Sequence, residues 1–350
     1  MNDLMQAAVL REPGDLINIR VPKPFCPPGG LLVRVRACAL CATDAKMWRQ
    51  GHRDLILPRI LGHEVAGEIA AVDPGLSGFE VGQRVQVAPG LPCGRCRWCL
   101  RGAPNMCQDM RIIGFHCDGG LAQYLAVPAA GVQQGAVSLL PRGLSCDRGA
   151  LAEPLACCLN AQELTRVGPG DRVAIFGAGP QGRLHVQVAR LRGASLIILI
   201  ETDPARLKAA TTVGADLVLD PAQQQPVAAI RDYTHGQGVD AVFLACGSAA
   251  ALDWGLGVLA KRGRLCLYSG MPKEGETLPV NLNRLHYLEA SLLGAYGCTS
   301  RQNALALELI AQHRLRVDQE ISHRLPLEEV TQGLEVVLNR TGLKVVIEFN

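Results

Sequence analysis

Apolar and polar positions alternate along LLVRVRACAL (31–40) with the period of two that a half-buried strand requires. Two more short runs of β character follow, VAGEIAAV (65–72) and RVQVAP (84–89). The breakers PFCPPGG (24–30), DPGLSG (73–78) and CDGG (117–120) separate such runs with glycine and proline. Many short strands between turns predict a small β-rich, barrel-like domain over residues 1–150. The pattern changes near residue 151. Pro154 suits the first turn of a helix over LACCLNAQEL, where proline's missing N–H is tolerated. Continuous aliphatic strands then alternate with helix-like segments: DRVAIF (171–176), SLIILIE (195–201), DLVLD (216–220), DAVFLACGS (240–248) and RLCLYSG (264–270). This alternation predicts an α/β domain over 151–296, a doubly wound parallel sheet covered on both faces. A helical stretch, ALALELIAQHRL (304–315), and a last β run, KVVIEF (344–349), follow.

Composition narrows the class. A chain of 350 residues, 48% hydrophobic, is long enough for two domains that each bury a core. Aromatics are only 4%, so those cores rest on aliphatic side chains. The charges nearly cancel, 35 Lys and Arg against 32 Asp and Glu, which leaves no electrostatic footprint for nucleic acid. No apolar run reaches ~18 residues, so no membrane helix is expected. The segment MNDLMQAAVLREPGD lacks the basic-then-apolar pattern of a secretory leader. The fourteen cysteines therefore read as thiols of a cytoplasmic protein, where clusters serve metal or redox chemistry.

Gly177-Ala178-Gly179-Pro180-Gln181-Gly182 fits G-x-G-x-x-G, with RVAIF before it and a helical RLHVQVARLRG after it. Thirty-eight glycines make chance matches easy, so the flanking strand and helix carry the signal. In such a turn Gly177 permits the bend, Gly179 lets backbone approach a pyrophosphate, and Gly182 lets helix and strand pack closely. The N–H groups opening that helix then face the phosphates. Glu201, at the end of the next strand, is placed to bind the ribose hydroxyls and to repel the 2′-phosphate of NADP. NAD is thus the expected cofactor. Asp203 competes for the acidic role, and Pro180, Gln181 and Arg206 complete the candidate cofactor contacts.

Cys93, Cys96, Cys99 and Cys107 form C-x2-C-x2-C-x7-C. Four thiolates this close suit one tetrahedral zinc with no open position, hence a structural site. An iron–sulfur cluster is the rival, since the first spacings resemble a ferredoxin run; four unrelated cysteines are the third reading. A second constellation is dispersed: Cys41 in ALCATDAKMW, His63 and Glu64 in LGHEVAGE, and Glu153 in LAEPLACCLNA. A carboxylate in apolar surroundings, as Glu153 is, is costly unless paired or metal-bound. Cys41, His63 and one glutamate would leave a fourth position open, as a catalytic zinc requires.

At these residues the chain resembles the medium-chain, zinc-dependent alcohol/polyol dehydrogenases. The resemblance runs the full length, through LCATD, GHEVAGEI, DGGLAQYLAVP, LAEPLACCLNA, GAGPQG and KVVIEF. LAEPL and ISHRLPLEEV (321–330) resemble the sorbitol and threonine dehydrogenase branch. The resemblance implies a GroES-like catalytic domain, residues 1–150 and 297–350, with a Rossmann cofactor domain, 151–296, inserted in it. It implies two zinc ions per chain. Cys41 and His63 hold the catalytic one, and Glu64 and Glu153 compete for its third place. Thr43 corresponds to the hydroxyl that relays the substrate proton. The implied activity is hydride transfer between a secondary alcohol or polyol and NAD, giving the ketone. YSGMP and LLGAYGC resemble segments that pass the nicotinamide and form the edge strand of a homodimer or homotetramer. Lys46 departs from the pattern, because relatives often carry histidine after the C-x-[ST]-D box; His52 lies nearby. Trp48, Phe115 and Arg324 are candidates for the substrate pocket. Two other readings stand beside this one: a zinc-free enone or quinone reductase of the same fold, and a non-catalytic NAD-binding protein.

Overall fold

The computed structural model describes residues 3–271 and 277–349. Pro272 of the YSGMP segment lies outside the described residues. The chain divides into two compact units, one running through Ala156 and resuming at Cys298, the other spanning Cys157–Gly297. The sequence pattern breaks at 150/151, just before the helix Ala152–Leu164, which runs unbroken through the division at 156/157.

The first unit is built on a sheet ordered Val137–Leu139, Arg84–Val87, Glu64–Val72, Leu31–Ala39, Lys344–Glu348, Ile321–Pro326, with Tyr124–Val127 also paired to Leu31–Ala39. The alternation read from 31–40 is real only over Val33–Arg36, where Val33 and Val35 are buried, Arg34 is exposed and Arg36 half-buried; before it Leu31 and Leu32 are both buried. It stops at Ala37–Ala39, which are all buried and pair with Glu64–Val72 on one edge and with Lys344–Glu348 on the other. Gly67 is required there. A Cβ on it would stand 2.2 Å from the Arg34 carbonyl oxygen, so only glycine admits the close strand approach. A hairpin, Leu4–Glu12 with Asp15–Pro22, adds a small second sheet with Arg59–Ile60. Val33, Val35, Leu61, Val65, Ile69 and Val85 lie at the centre of the core, each contributing ~1.5–3 kcal/mol by full burial.

The second unit is a six-stranded, all-parallel sheet ordered Leu217–Leu219, Leu196–Ile200, Arg172–Phe176, Val239–Leu244, Leu259–Leu267, Ser291–Gly294. Successive residues face opposite sides. Val173 and Ile175 pack with Ile197, Leu199 and Phe243, while Ala174 and Phe176 pack with Ile198, Val242 and Leu244. Both faces are therefore apolar, as the uninterrupted aliphatic runs predict. The order reverses between Arg172–Phe176 and Val239–Leu244, the crevice where doubly wound sheets take dinucleotides.

One helix is displaced from its predicted place. Expected over 304–315, it spans Ser300–Ala311. Thr299 Oγ1 accepts the Gln302 N–H at 3.2 Å and Gln302 Oε1 accepts the Thr299 N–H at 2.9 Å. This capping box starts the helix a turn earlier than the apolar periodicity does. Among the described residues, no helix is long and apolar enough to cross a membrane.

Candidate active site and metal centres

The sulfurs of Cys93, Cys96, Cys99 and Cys107 all lie within 4.8 Å of one another. The chain folds back on itself through the short helix Arg97–Leu100 and the 3-10 turn Pro104–Met106. Backbone donors line the cluster, the Cys93 N–H reaching Cys107 Sγ at 3.2 Å. N–H groups of Cys99 and Gln108 pull the Cys96 thiol down to about 6, whereas burial and its neighbouring thiols push Cys99 up to about 12. At neutral pH the cluster thus already favours one thiolate, and a divalent cation would stabilise the others.

The second donor group joins distant segments. Cys41 ends the turn after Leu31–Ala39 and caps the helix Ala42–Gln50. His63 precedes the strand that Glu64 opens. A sulfur, a ring nitrogen and a carboxylate oxygen of Cys41, His63 and Glu64 lie within 4.8 Å of one another. Asp44, fully buried, aligns two of these residues. Its Oδ2 accepts the Cys41 N–H at 2.9 Å, and its Oδ1 lies 3.1 Å from His63 Nδ1 and accepts the Gly62 N–H at 3.3 Å. With Nδ1 donating to Asp44, Nε2 is the ring atom with a lone pair for a metal. Burial opposes charge on His63, but the Asp44 carboxylate and the Cys41 sulfur outweigh it and hold the ring well above its usual range.

Glu64 is fully buried and ion-paired through both carboxylate oxygens to Lys344, with Oε2 at 2.6 Å from Nζ. Lys344 Nζ also donates to the Leu40 carbonyl at 3.2 Å. Burial raises the Glu64 carboxyl, Lys344 opposes that, and Glu153 adds to it, leaving the group at about 7. Lys344 stays protonated. Burial disfavours its charge, but Glu64, Cys41 and Glu153 overcome that penalty.

Glu153 does not join the Cys41 group. It is buried beside Cys298, whose Sγ lies 3.9 Å from its Oε1. Asn303 Nδ2 donates to that sulfur at 3.1 Å, and Gln86 Nε2 donates to Asn303 Oδ1 at 3.1 Å. Thr43 Oγ1 stands 3.7 Å from Cys41 Sγ. Of the pocket candidates, Phe115 meets the His63 ring edge-on at a centroid distance of 5.6 Å. Trp48 is a core residue, and Arg324 pairs with Asp147 at 2.7 Å. Lys46 is exposed, and His52 accepts the Asp54 N–H at 3.1 Å in a local turn.

In the second unit, Gly177 takes φ +105°, and a Cβ on Gly182 would stand 1.7 Å from the Gly177 carbonyl oxygen. No side chain fits at Gly182. At Gly179 a Cβ would meet only Arg206, whose Nη1 lies 3.3 Å away, so the space above that glycine is a cradle for a ligand. Pro180 opens the helix Pro180–Leu191. Glu201 ties the turn together, its Oε2 accepting the Ala178 N–H at 2.7 Å and its Oε1 the N–H groups of Thr202 and Asp203 at 2.7 and 3.0 Å. Asp203 is occupied as a helix cap, accepting the Arg206 N–H at 2.9 Å.

Both donor sets suit zinc. The first is all thiolate and closed; the second mixes sulfur, imidazole and carboxylate, with an orienting partner on the imidazole. Asp44 and Lys344 were not singled out from the sequence. The aspartate of the C-x-[ST]-D box and a lysine opening an otherwise apolar strand were the available signals.

Comparison with known proteins agrees with this chemistry. The family described as "Alcohol dehydrogenase GroES-like domain" matches residues 27–137, and "Zinc-binding dehydrogenase" matches 180–312. The L-threonine 3-dehydrogenase of Pyrococcus horikoshii is 34% identical over 93% of this chain and 92% of its own. The sorbitol dehydrogenase of Bacillus subtilis is 31% identical over 95% and 94%. A Sinorhizobium meliloti structure, described as a zinc-binding dehydrogenase bound to NADP, superposes with TM-score 0.92 at 31% identity, covering 99% of this chain and 100% of that one. With this identity extending over nearly the whole length, the chain belongs to the zinc-dependent medium-chain alcohol/polyol dehydrogenases, a family of NAD(P)-using oxidoreductases.

Proposed function

We propose that this protein interconverts a secondary alcohol or polyol and its ketone, with NAD as hydride carrier. The reading rests above all on the convergence of Cys41, His63 and Glu64, with Asp44 holding the imidazole. Cys41, His63 and Glu64 would hold the catalytic zinc, with Glu153 as the alternate carboxylate. Cys93, Cys96, Cys99 and Cys107 would hold a second, structural zinc. When bound, zinc supplies Lewis acidity that makes an alcohol hydroxyl more acidic, and nicotinamide supplies a hydride acceptor.

The chain's own residues do the rest. Asp44 keeps a proton on His63 Nδ1, so Nε2 keeps its lone pair for a metal. Lys344 keeps Glu64 ionised or releases it as the charge nearby changes. Thr43 Oγ1 takes the substrate proton and passes it towards solvent; exposed Lys46 is not needed for this step. Phe115 and the apolar shell exclude water around His63. The unit 1–150 and 297–350 is assigned the chemistry, and 151–296 the cofactor, through Gly177, Gly179, Pro180, Gln181, Gly182, Glu201 and Arg206. The Glu201 carboxylate opposes a 2′-phosphate and so favours NAD, although one relative was crystallised with NADP. Exposed Leu292 on the edge strand Ser291–Gly294, with Tyr296 after it, supports a homodimer or homotetramer. A cytoplasmic location accords with cysteines that form no disulfide among the described residues.

The test is NADH formation over a panel of secondary alcohols and polyols, with zinc counted in the same preparation. Cys41→Ser is expected to abolish turnover, lose one zinc of two and leave NAD binding intact. Full activity in that variant, or in zinc-free protein, would refute the assignment.

A further inference from the structure

A cavity of about 410 Å³ lies on the first unit, and none of the metal-donor residues lines it. Much of its wall comes from the small second sheet. Met5 pairs with Val21 across Leu4–Glu12 and Asp15–Pro22, and Val9 pairs with Ile60 of Arg59–Ile60. Ala126, on Tyr124–Val127, extends the apolar lining. The volume falls within the ~300–1,000 Å³ typical of small-molecule sites, and so does an apolar wall with a few polar groups.

The charged residues of this lining are Arg59 and Asp118. Arg59 Nε donates to the Ile56 carbonyl at 2.9 Å and Nη1 to Asp118 Oδ1 at 2.7 Å. Nη2 donates to no atom among the described residues. The two charges sit in unequal surroundings, the Arg59 side chain being 14% exposed and that of Asp118 60%. Water therefore screens the carboxylate, which offsets the guanidinium only weakly. Arg111 brings a second cation to the same end. Burial pushes the Cys117 thiol up, and Arg111 and Arg59 together pull against it. Two guanidiniums thus face one solvated carboxylate beside apolar walls.

Such a balance selects for charge and shape together. The excess of guanidinium favours an anion over a cation, and the apolar walls favour a chain over a bare ion. A guanidinium with one terminal nitrogen committed still offers the other to a carboxylate oxygen. We propose that this cavity binds an amphipathic monocarboxylate, its acyl chain against Met5, Val9 and Val21 and its carboxylate on Arg59. The ligand takes no part in hydride transfer. It is a second binding function of the catalytic unit, and it stands whether or not the proposed reaction does.

The experiment is calorimetric titration of decanoate into the zinc-loaded full chain, with acetate and decylammonium as contrasts. Acetate has the head without the chain, and decylammonium has the chain with the opposite charge. Decanoate is expected to bind once per chain and about tenfold tighter than either, or better. Arg59→Met should weaken decanoate by about tenfold or more. Val21→Trp, which adds bulk to the apolar wall, should weaken it too and serves if the Arg59 variant fails to fold. Cys41→Ser should bind decanoate as wild type does. The proposal is overturned by wild type that does not bind decanoate, or by decylammonium binding as tightly. Affinity for decanoate unchanged within about twofold in a folded Arg59→Met or Val21→Trp protein also overturns it. So does loss of decanoate binding in Cys41→Ser, which would put the carboxylate on the catalytic metal group instead.

Discussion

His63 and His185 are both buried, and their surroundings act on them in opposite directions. His63, in the unit that carries the Cys41 group, faces the Asp44 carboxylate at 3.1 Å and is held well above its ordinary range. His185, in the nucleotide unit, stacks on Phe243 at 4.6 Å, and burial alone drives it down to about 3. Among the described residues, its Nε2 has no hydrogen-bond partner. One imidazole is oriented by a charge and the other is kept neutral by a hydrocarbon wall. The difference teaches where each unit spends polarity. The catalytic unit buries ionised groups and pairs them, Asp44 with His63 and Glu64 with Lys344. The sheet core of the nucleotide unit buries a titratable ring by denying it charge.

The largest expected effect comes from breaking a pair. Lys344→Met leaves Glu64 buried without its cation, and urea unfolding should show a loss of about 3–5 kcal/mol. Glu64→Gln with Lys344→Met should recover most of it, because no buried charge is then left over. If the single variant is as stable as wild type, the paired-charge account of this unit is wrong. Next in size is Asp44→Asn. Removing an outer partner of a metal-binding histidine typically costs ~10–100-fold in metal affinity or activity. Chelator titration should show one zinc released far more readily while the four-cysteine zinc is retained; equal weakening of both would contradict the local role of Asp44.

The smallest effect concerns His185 and sharpens the contrast through pH. The unfolded chain takes up a proton near 6.5, but folded His185 refuses it until about 3. Stability contributed by this residue is therefore present above the unfolded value and is lost as pH falls through that window. The slope is about 1.4 kcal/mol per pH unit. His185→Phe removes the linkage, so the variant should gain on wild type by that amount per unit between about pH 6 and 4. A stability difference between the two proteins that does not vary with pH would show that His185 is protonated when folded.

What could be read from the sequence follows the same division. The four-cysteine loop and the glycine turn are local, and spacing alone displays them. The aliphatic strands of the nucleotide sheet are equally plain, since both of their faces are covered. The Cys41 group is non-local, and only its members inside LCATD and GHEVAGE carried a signal. Nothing in the spacing separates Glu64 from Glu153. The fold does, because Glu64 opens a strand paired with Ala39 beside Cys41, while Glu153 sits on a helix facing Cys298. Lys344 is less visible still, being separated from Glu64 by most of the chain. The hairpin Leu4–Glu12 with Asp15–Pro22 is less plain: Ile17, Ile19 and Val21 alternate with Asn18 and Arg20, yet no residue of that strand is fully buried.

The strand Lys344–Glu348 lies between Leu31–Ala39 and Ile321–Pro326 and delivers Lys344 to Glu64. During synthesis, therefore, the first half of the catalytic unit leaves the ribosome long before the strand that completes its sheet. The nucleotide unit is contiguous and has all its strands once Gly297 has emerged. At about 5–20 residues per second, the segment from Cys298 onward takes roughly 3–10 s more to make. Throughout that interval the edge of Leu31–Ala39 awaits its neighbour and Glu64 has no cation. The dinucleotide fold can mature first, while the Glu64–Lys344 pair of the other unit forms only once this strand has been made.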